Sequence, residues 1–239
     1  MSGQFNMPRN VAILGGNSDI AKAIEAELLK ARPGVRTIRC VRTPKDGEIS
    51  YDATNPKGAE TALVEAEQKL GELDGVIIAF GMLGSEQEAL KDPEGAFEVG
   101  ITNYTGAVSA GVASGKMLTK NGGGWVVYLS SFAGVRVRPV MPLYGSSKQG
   151  ADAFFKAARA RWREDGVKCL IVRPGYVHTK MVKDVKPVFG DIQPDKVANS
   201  IVRAMEEGRD GVIYAPKVLK LLSIVARFVP SRVWDGLKK

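Results

Sequence analysis

The chain has 239 residues, of which 44% are hydrophobic and 25% are charged. This balance excludes wholesale disorder and suits a single α/β domain with a substantial buried core. The net charge of +8 at pH 7 indicates an anionic partner. No nucleic-acid-binding motif accompanies the charge, so we expect no nucleic acid; a phosphorylated ligand or an anionic membrane surface fits the charge as well.

Three further counts exclude whole classes of site. Cys40 and Cys169 lie far apart and match no metal-ligand spacing, and they make no disulfide framework. The single histidine, His178, leaves little material for a zinc site or a Ser-His-Asp triad, so no metal is expected. The polar N-terminus lacks a secretory signal, and no stretch approaches the roughly 18 apolar residues of a membrane span. We expect a cytoplasmic protein that associates peripherally with a membrane or with the cell envelope.

Short apolar runs alternate with longer amphipathic stretches. The runs predict strands at Val11–Gly15, Val35–Val41, Ile49–Asp52, Val76–Phe80, Gly124–Ser130, Val167–Val172 and Val212–Ala215. Helical periodicity predicts helices at Ser18–Ala31, Asn55–Leu70, Pro93–Leu118 (one helix or two), Pro142–Glu164 and Pro194–Glu207. Strands that are apolar throughout and separated by helices predict an α/β fold, a doubly wound, Rossmann-like parallel sheet with helices on both faces. We interpret residues 1–239 as one domain, with 216–239 as a basic amphipathic C-terminal tail.

The segment between the first strand and the first helix is a candidate phosphate-binding turn. Gly15 would let the backbone approach a pyrophosphate, and the helix N-terminus that begins with Ser18 offers free N–H groups. The turn also contains Asn17 and Ile20. Asp19 is unusual beside a pyrophosphate because like charges repel, so we expect its carboxylate to turn away and cap the helix. A generic strand-to-helix turn explains the segment equally well.

Tyr144 and Lys148 are the strongest chemical signal. Residues four apart share a face of a helix, so the Lys148 ammonium is expected beside the Tyr144 ring. A neighbouring cation favours the phenolate and lowers the pKa of a tyrosine, which predicts a general acid and base at Tyr144. A surface pair on an amphipathic helix is the alternative for an isolated Y-x-x-x-K.

The positions of Ser131 and Asn103 favour the chemical interpretation. Ser131 follows the Gly124–Ser130 strand, at the strand end where open α/β sheets bind ligands. Its hydroxyl could hold a reacting carbonyl oxygen. Asn103, in the preceding helix, could hold a water and pass protons to Lys148.

These residues stand in runs that resemble the short-chain dehydrogenase/reductase superfamily, over roughly residues 10 to 215. The runs are Ile101-Thr-Asn-Tyr-Thr-Gly106, Tyr128-Leu-Ser-Ser-Phe-Ala-Gly134, Tyr144-Gly-Ser-Ser-Lys148 and Arg173-Pro-Gly-Tyr-Val-His-Thr179. The resemblance implies a nicotinamide-dependent oxidoreductase whose catalytic tetrad is Asn103, Ser131, Tyr144 and Lys148. It also implies cofactor contacts from Tyr144 and Lys148, from the nicotinamide segment at Pro174, Gly175, Val177 and Thr179, and from Asp52 at the adenine ring.

The segment Ile78-Ala-Phe-Gly81 departs from the N-N-A-G of that superfamily. Gly81 keeps the close approach to the adenosine ribose, while Phe80 replaces a smaller residue. This segment resembles the decaprenylphosphoryl-2-keto-ribose reductases of actinobacteria. The likeness extends to Gly-Gly-x-Ser-Asp-Ile at 15–20 and to Asn-Tyr-Thr-Gly-Ala-Val-Ser at 103–109. That family implies a lipid-linked sugar phosphate as substrate, a role in cell-wall arabinan synthesis, and a flavoprotein oxidase as partner in a two-enzyme epimerase.

The choice between the two nicotinamide cofactors is open. Enzymes that bind NAD place an acid after the second strand to hold the ribose 2′-hydroxyl. Here Arg42 follows that strand, and a cation favours the 2′-phosphate of NADP(H). The family resemblance points instead to NADH. On local charge we favour NADP(H) slightly.

The tail carries an apolar run, Val218–Val229, with basic residues around it. It predicts either an interfacial helix on an anionic membrane or a helix that covers the sheet edge or an oligomer interface. The basic residues are Lys217, Lys220, Arg227, Arg232, Lys238 and Lys239. Arg136 and Arg138 are interpreted either as a substrate-phosphate site or as solvated loop charges. The loop from Lys180 to Gln193 is expected to close over the sugar.

The enzyme hypothesis has two competitors. One is a dinucleotide-binding protein without chemistry, against which the intact Asn-Ser-Tyr-Lys set argues. The other is a basic nucleic-acid-binding domain, suggested by charge alone. A general carbonyl or alcohol oxidoreductase on a soluble substrate remains the alternative to the keto-sugar. Related enzymes pair through two long helices, so we expect a homo-oligomer.

Overall fold

Seven parallel strands form the centre of the computed structural model, which describes residues 7–84, 90–180 and 190–236. The strands are β1 (Asn10–Leu14), β2 (Arg36–Val41), β3 (Ile49–Ser50), β4 (Gly75–Ile78), β5 (Gly124–Leu129), β6 (Val167–Pro174) and β7 (Gly211–Ala215). Their order across the sheet is β3-β2-β1-β4-β5-β6-β7. Every neighbouring pair is parallel.

Helices cover both faces of this sheet. They are α1 (Asp19–Ala31), α2 (Gly58–Leu70), α3 (Pro93–Gly100), α4 (Ala107–Lys120), α5 (Pro142–Trp162), α6 (Pro194–Glu206), α7 (Leu219–Phe228) and α8 (Ser231–Asp235). Alternate residues of a strand point to opposite faces, so Ala12 and Leu14 join the core beneath α2, α4 and α5. Val11 and Ile13 join the other core, beneath α1 and α6. The predicted doubly wound α/β sheet is confirmed.

Of the two alternatives for Pro93–Leu118, the structure has two helices rather than one. A π-helical segment, Ile101–Gly106, separates α3 from α4. Here Gly106 packs against the Ala53 carbonyl, where a Cβ atom would collide with the oxygen. Four strands, β2, β3, β4 and β5, are also shorter than predicted, and among them β4 ends at Ile78 and β3 at Ser50. Phe80 and Asp52 therefore lie in the loops at the carboxyl edge, where open α/β sheets bind ligands.

The C-terminal tail folds back onto the carboxyl edge of the sheet. Leu219 and Ala226 of α7 are buried. The Arg136 guanidinium donates hydrogen bonds to the carbonyls of Ala226 and Val229 and stacks on the Trp234 ring, 4.6 Å from its centroid. Arg136 thus fastens the tail, which was not among the roles considered for it. None of the helices in the described ranges is long and apolar enough to cross a bilayer.

A buried ion pair joins α5 to β6. Arg173 donates to both carboxylate oxygens of Asp152, at 2.9 and 2.6 Å, and Ser130 donates to Asp152 at 2.8 Å. Burial opposes ionisation of Asp152, but the hydrogen bonds and the positive charge of Arg173 outweigh it and lower the pKa. The pair is thus bonded to the residue before Ser131, and Asp152 lies one helical turn after Lys148.

Replacing Asp152 with Ala should lower the free energy of unfolding by about 3 kcal/mol, because the Arg173 charge then stays buried without its partner. Urea denaturation measures the change. Asp46→Ala removes an exposed carboxylate and is the matched control. A loss of less than about 0.5 kcal/mol in Asp152→Ala would contradict a structural role for the pair.

Candidate active site

The candidate site lies at the carboxyl edge of the sheet, around the ends of β1, β4 and β5. The chain winds outward in opposite directions from β1, so its end faces a topological switch point. Open α/β sheets bind ligands in the crevice at such a point. Gly15, Gly81 and Ser131 all follow strands that end there.

Tyr144 and Ser131 come together across this edge. Ser131 lies two residues after the end of β5 and caps the short helix that follows, where its hydroxyl accepts a hydrogen bond from the Ala133 N–H. Tyr144 lies in the first turn of α5, partly buried, and its side chain is hydrogen-bonded to that of Ser131. A carbonyl oxygen placed between two such hydroxyl groups can be held and protonated.

The protonation of Tyr144 differs from the expectation. Burial raises its pKa above the ordinary value of a tyrosine, and the hydrogen bond from Ser131 opposes this only in part. The expected lowering by Lys148 is wrong for this arrangement, because desolvation of the phenolate dominates. Tyr144 therefore holds its proton at neutral pH, and its predicted role as general acid and base stays a prediction.

Lys148 is almost fully buried, with 4% of its surface exposed. Its ammonium donates a hydrogen bond of 3.0 Å to the Leu129 carbonyl and lies 5.4 Å from the centroid of the Tyr128 ring. Burial lowers the pKa of Lys148 to about 8. The amine therefore changes charge just above neutrality, within the reach of an enzyme's working pH.

Asn103 is fully buried in the π-helical segment, a feature that is frequent at functional sites. Its side chain accepts from the Met82 N–H at 2.8 Å and donates to the Met82 carbonyl at 2.7 Å and to the Ser147 hydroxyl at 3.2 Å. The amide thus ties the loop after β4 to the catalytic helix. A water relay through Asn103 stays a prediction.

The absence of a side chain at Gly81 allows Lys148 and Asn103 to approach its backbone closely. A Cβ atom at Gly81 would lie 3.1 Å from the Lys148 Nζ and 3.3 Å from the Asn103 Oδ1. The neighbouring residue Phe80 packs at 5.5 Å, ring to ring, on Tyr51. The backbone at Gly81 is therefore close to both polar groups, as its predicted role beside the ribose requires.

The turn after β1, the predicted phosphate-binding turn, packs tightly against the loop that follows β4. Gly15 has φ +82°, and a Cβ there would lie 2.7 Å from the Phe80 Cβ. Ser18 caps α1 by accepting the Ala21 N–H at 3.1 Å, so the predicted capping role falls to Ser18. Asn17 is exposed at the turn, and Ile20 is half-buried behind it.

Asp19 has a different partner from the one expected. Its carboxylate turns away from the helix N-terminus and accepts a hydrogen bond of 2.8 Å from the Lys180 backbone N–H. This bond joins the phosphate-binding turn to the segment after Thr179. The sequence carries no signal for the contact, because the two residues are far apart along the chain.

The predicted nicotinamide segment borders the same edge. Pro174 ends β6, and the Gly175 N–H donates to the Ala215 carbonyl at 2.9 Å. Val177 forms a parallel bridge with Ile192, and Thr179 is half-buried. His178 lies 3.0 Å from the Asp191 carboxylate, a further contact missed by sequence reasoning. Most of the Lys180–Gln193 loop lies outside the described residues, as do Lys238 and Lys239.

The adenine end of the site carries one acid and one cation. Asp52 accepts hydrogen bonds from the backbone and hydroxyl of Thr54, at 2.9 and 2.8 Å, and these lower its pKa. Arg42 is exposed after β2 and adds to this lowering by its charge. Throughout residues 7–84, 90–180 and 190–236, Arg42 has no hydrogen bond and no ion pair.

Together these groups fit a dinucleotide. Gly15 packs its backbone closely on Phe80, and Gly81 packs its backbone closely on Lys148 and Asn103. The helix α1 begins at the same edge, with free N–H groups of the kind that bind phosphate. The contacts predicted for Asp52, Arg42 and the Pro174–Thr179 segment remain predictions. Their strands and loops converge on one edge, as a single extended ligand requires.

Comparison with known proteins identifies the family. Residues 9–188 match the sequence profile of the short chain dehydrogenases. An uncharacterized oxidoreductase of Streptomyces coelicolor is 33% identical over 96% of both chains. An uncharacterized oxidoreductase of Mycobacterium tuberculosis is 32% identical over 80% of this chain and 76% of its own length.

The fold also matches solved structures. A short chain dehydrogenase from Burkholderia cenocepacia in complex with NADP superimposes with a TM-score of 0.80, at 23% identity, over 99% of this chain and 100% of that one. A gluconate 5-dehydrogenase from the same organism, in complex with NADP and tartrate, has a TM-score of 0.78 at 16% identity, over 91% and 98% of the two chains. The chain therefore belongs to the short-chain dehydrogenase/reductase family and is an NAD(P)-dependent oxidoreductase.

Proposed function

We propose that the protein reduces the ketone of a lipid-linked keto-sugar to an alcohol. The observation that carries the proposal is the hydrogen-bonded pair of Tyr144 and Ser131 beside the buried Lys148. When bound, the reduced nicotinamide supplies the hydride. Ser131 holds the ketone oxygen, and Tyr144 donates the proton that this oxygen needs.

The raised pKa of Tyr144 suits the direction of reduction. A reduction consumes a proton, so the donor must hold one at neutral pH, and burial ensures that Tyr144 does. Lys148 is protonated below its pKa of about 8. Its positive charge then stabilises the phenolate that remains after proton transfer.

The finer proposal is decaprenylphosphoryl-2-keto-ribose as substrate and its arabinose epimer as product, in cell-wall arabinan precursor synthesis with a flavoprotein oxidase as partner. Two observations support an apolar substrate. The segments at 15–20, 79–84 and 103–109 resemble the reductases of that sugar lipid. In addition, a cavity of about 550 Å³ is lined mainly by apolar residues such as Phe97 and Ile101. It reaches Leu143 and Ser147 on the helical turn that carries Tyr144, but Tyr144 itself does not line it. A polyprenyl tail stays in a bilayer, so the protein would work at a membrane surface.

A cofactor-oxidation assay against a panel of carbonyl compounds tests the substrate. The panel includes a polyprenylphosphoryl 2-keto-pentose, the free keto-pentose and simple soluble ketones. A kcat/KM for the lipid-linked sugar well above that of every other compound supports the proposal. Preference for a soluble ketone would favour the alternative, a general carbonyl oxidoreductase. Cofactor binding without turnover of any compound would favour a non-catalytic dinucleotide-binding protein.

Replacing Tyr144 with Phe should lower kcat by about 10²- to 10⁴-fold, because the ring remains and only the proton donor is lost. Affinity for the reduced cofactor, measured by fluorescence titration, should stay within about twofold, since the phenol is not needed to hold the dinucleotide. Thr61→Val likewise removes a single hydroxyl, from an exposed residue of α2 that lines neither cavity, and should leave kcat unchanged. Near-normal turnover in Tyr144→Phe would show that another group donates the proton.

The kcat/KM for reduction should fall as pH rises through about 8, the pKa of Lys148. This parameter reports ionisations of the free enzyme, and the amine loses its charge above that pH. Below it the charge is fully present, so the profile should be flat on the acid side of this step. A profile that stays flat to pH 10 would remove Lys148 from the proton-transfer step.

Arg42→Gln should lower kcat/KM for NADPH by about tenfold or more while leaving the value for NADH within about twofold, because a guanidinium contact to the 2′-phosphate is a charge-assisted hydrogen bond. Steady-state kinetics with the two reduced cofactors measure both values. Arg161→Gln, an exposed cation on α5, is the control for net charge. A strong preference of the unmodified protein for NADH would overturn the interpretation of Arg42.

A further inference from the structure

A basic cavity follows the outer edge of β7, between α6 and the start of α7. Its volume is about 300 Å³. Four cations line it, Arg203, Arg209, Lys217 and Lys220, against the single carboxylate of Glu207. The cavity lies apart from the catalytic residues, none of which contributes to its lining.

The ion pairs within the cavity leave two cations available. Glu207 accepts from Arg203 at 3.0 Å and lies 3.6 Å from the Arg209 guanidinium. Lys217 and Lys220 make no hydrogen bond and no ion pair through their side chains with any residue that the structure describes. The cavity therefore has an excess of positive charge, and the ammonium groups at its α7 end are free to bind an anion.

An exposed apolar stripe lies on α7, next to the same end of the cavity. Leu221, Ile224, Val225 and Phe228 follow the spacing of one helix face and are 65%, 49%, 53% and 81% exposed. The opposite face of the helix, with Leu219, Ser223 and Ala226, is buried against the protein. On a helix of 3.6 residues per turn, Lys220 and Arg227 lie along the side of the stripe.

We propose that the cavity binds the phosphate headgroup of an anionic lipid while the α7 stripe enters the bilayer beside it. Apolar burial and attraction to anionic lipid are the two contributions that interfacial helices combine. Here one short helix supplies both, since Lys220 lines the cavity and the next residue, Leu221, begins the stripe. The proposal rests on the membrane contact in the proposed function, but not on the identity of the sugar.

The charges favour a lipid over a second copy of the chain as the occupant of the stripe. A two-fold contact through α7 would bring Lys217, Lys220 and Arg227 of one copy towards the same residues of the other. Within residues 217–236 the only acid is Asp235, so the tail offers little to neutralise them. Like charges across an interface are unfavourable, whereas an anionic bilayer neutralises all of them.

The docking also places the active site at the membrane. Leu219, the first residue of α7, packs against Gly175, where a Cβ would lie 2.8 Å from its Cδ1. Arg136, five residues after Ser131, holds the other end of the helix. A bilayer that covers the α7 stripe therefore lies beside the mouth of the site and can deliver a lipid-linked substrate to it.

Vesicle co-sedimentation of the full chain tests the proposal. Three kinds of vesicle are compared: neutral phosphatidylcholine, phosphatidylcholine with phosphatidylserine, and phosphatidylcholine with phosphatidic acid at equal surface charge. Binding is expected to the two anionic kinds, stronger to phosphatidic acid, and to weaken as salt is raised from 50 to about 500 mM, since salt screens the attraction.

Two double variants separate the cavity from the stripe. Lys217→Gln with Lys220→Gln should weaken binding to phosphatidic acid vesicles by about tenfold or more, while Lys45→Gln with Lys91→Gln, which removes equal charge elsewhere, should weaken it by less than about threefold. Leu221→Ser with Phe228→Ser should abolish binding to all vesicles, and Leu29→Ser with Val64→Ser is its control. Circular dichroism establishes that each variant is folded.

Three results would overturn the proposal. One is that the unmodified protein ignores anionic vesicles at low salt. Another is that inorganic phosphate raises the Tm through Lys217 and Lys220 while vesicle binding does not depend on them, which would indicate a free-phosphate site. A third is that the Leu221 and Phe228 variant turns a dimer into a monomer without affecting vesicles. Reduction of a water-soluble ketone, measured without vesicles, should be unchanged in every variant, so a failure of the reductase proposal is seen separately.

Discussion

The parallel arrangement of β1, β4 and β5 is the constraint on which the rest of the structure depends. In a parallel sheet every strand ends at the same edge, so the residues that follow these strands meet there however far apart they lie in the chain. Gly15, Gly81 and Ser131 are brought together in this way. The helices that return the chain then add Asn103 from the π-helical segment and Tyr144 with Lys148 from α5. The sheet topology and the returning helices are therefore sufficient to bring these residues together.

Burying polar groups at this edge is unfavourable unless each has a partner, and the partners found here also hold the site rigid. The Leu129 carbonyl accepts the Lys148 ammonium, and Met82 and Ser147 satisfy the Asn103 amide. Behind them, the Asp152–Arg173 pair fastens α5 to the ends of β5 and β6. Each bond joins two different elements, so the same interactions that offset desolvation also fix the catalytic side chains relative to one another.

Burial also decides the protonation of the predicted catalytic pair, Tyr144 and Lys148. Desolvation disfavours the charged form of any group, and it therefore raises the pKa of Tyr144 and lowers that of Lys148. The two pKa values shift in opposite directions, and both shifts suit the proposed reductase. Tyr144 keeps the proton that the proposed reduction needs. The pKa of Lys148 lies at about 8, close enough to neutral pH that a modest change of surroundings alters its charge.

The sequence by itself determined the class of fold, the succession of strands and helices along the chain, and the family. Apolar periodicity depends on which residues face a core, and the Y-x-x-x-K spacing depends on the pitch of one helix, so both are local and readable along the chain. Periodicity left open whether Pro93–Leu118 is one helix or two, and it did not predict the π-helical form of the segment Ile101–Gly106 that separates them. The contacts of Asp19 with Lys180 and of Arg136 with the end of α7 were decided by the tertiary structure alone. The pKa of Tyr144 was also decided by the tertiary structure. Helix spacing predicts which charged residue lies near the ring, whereas the degree of desolvation depends on every element that packs around it.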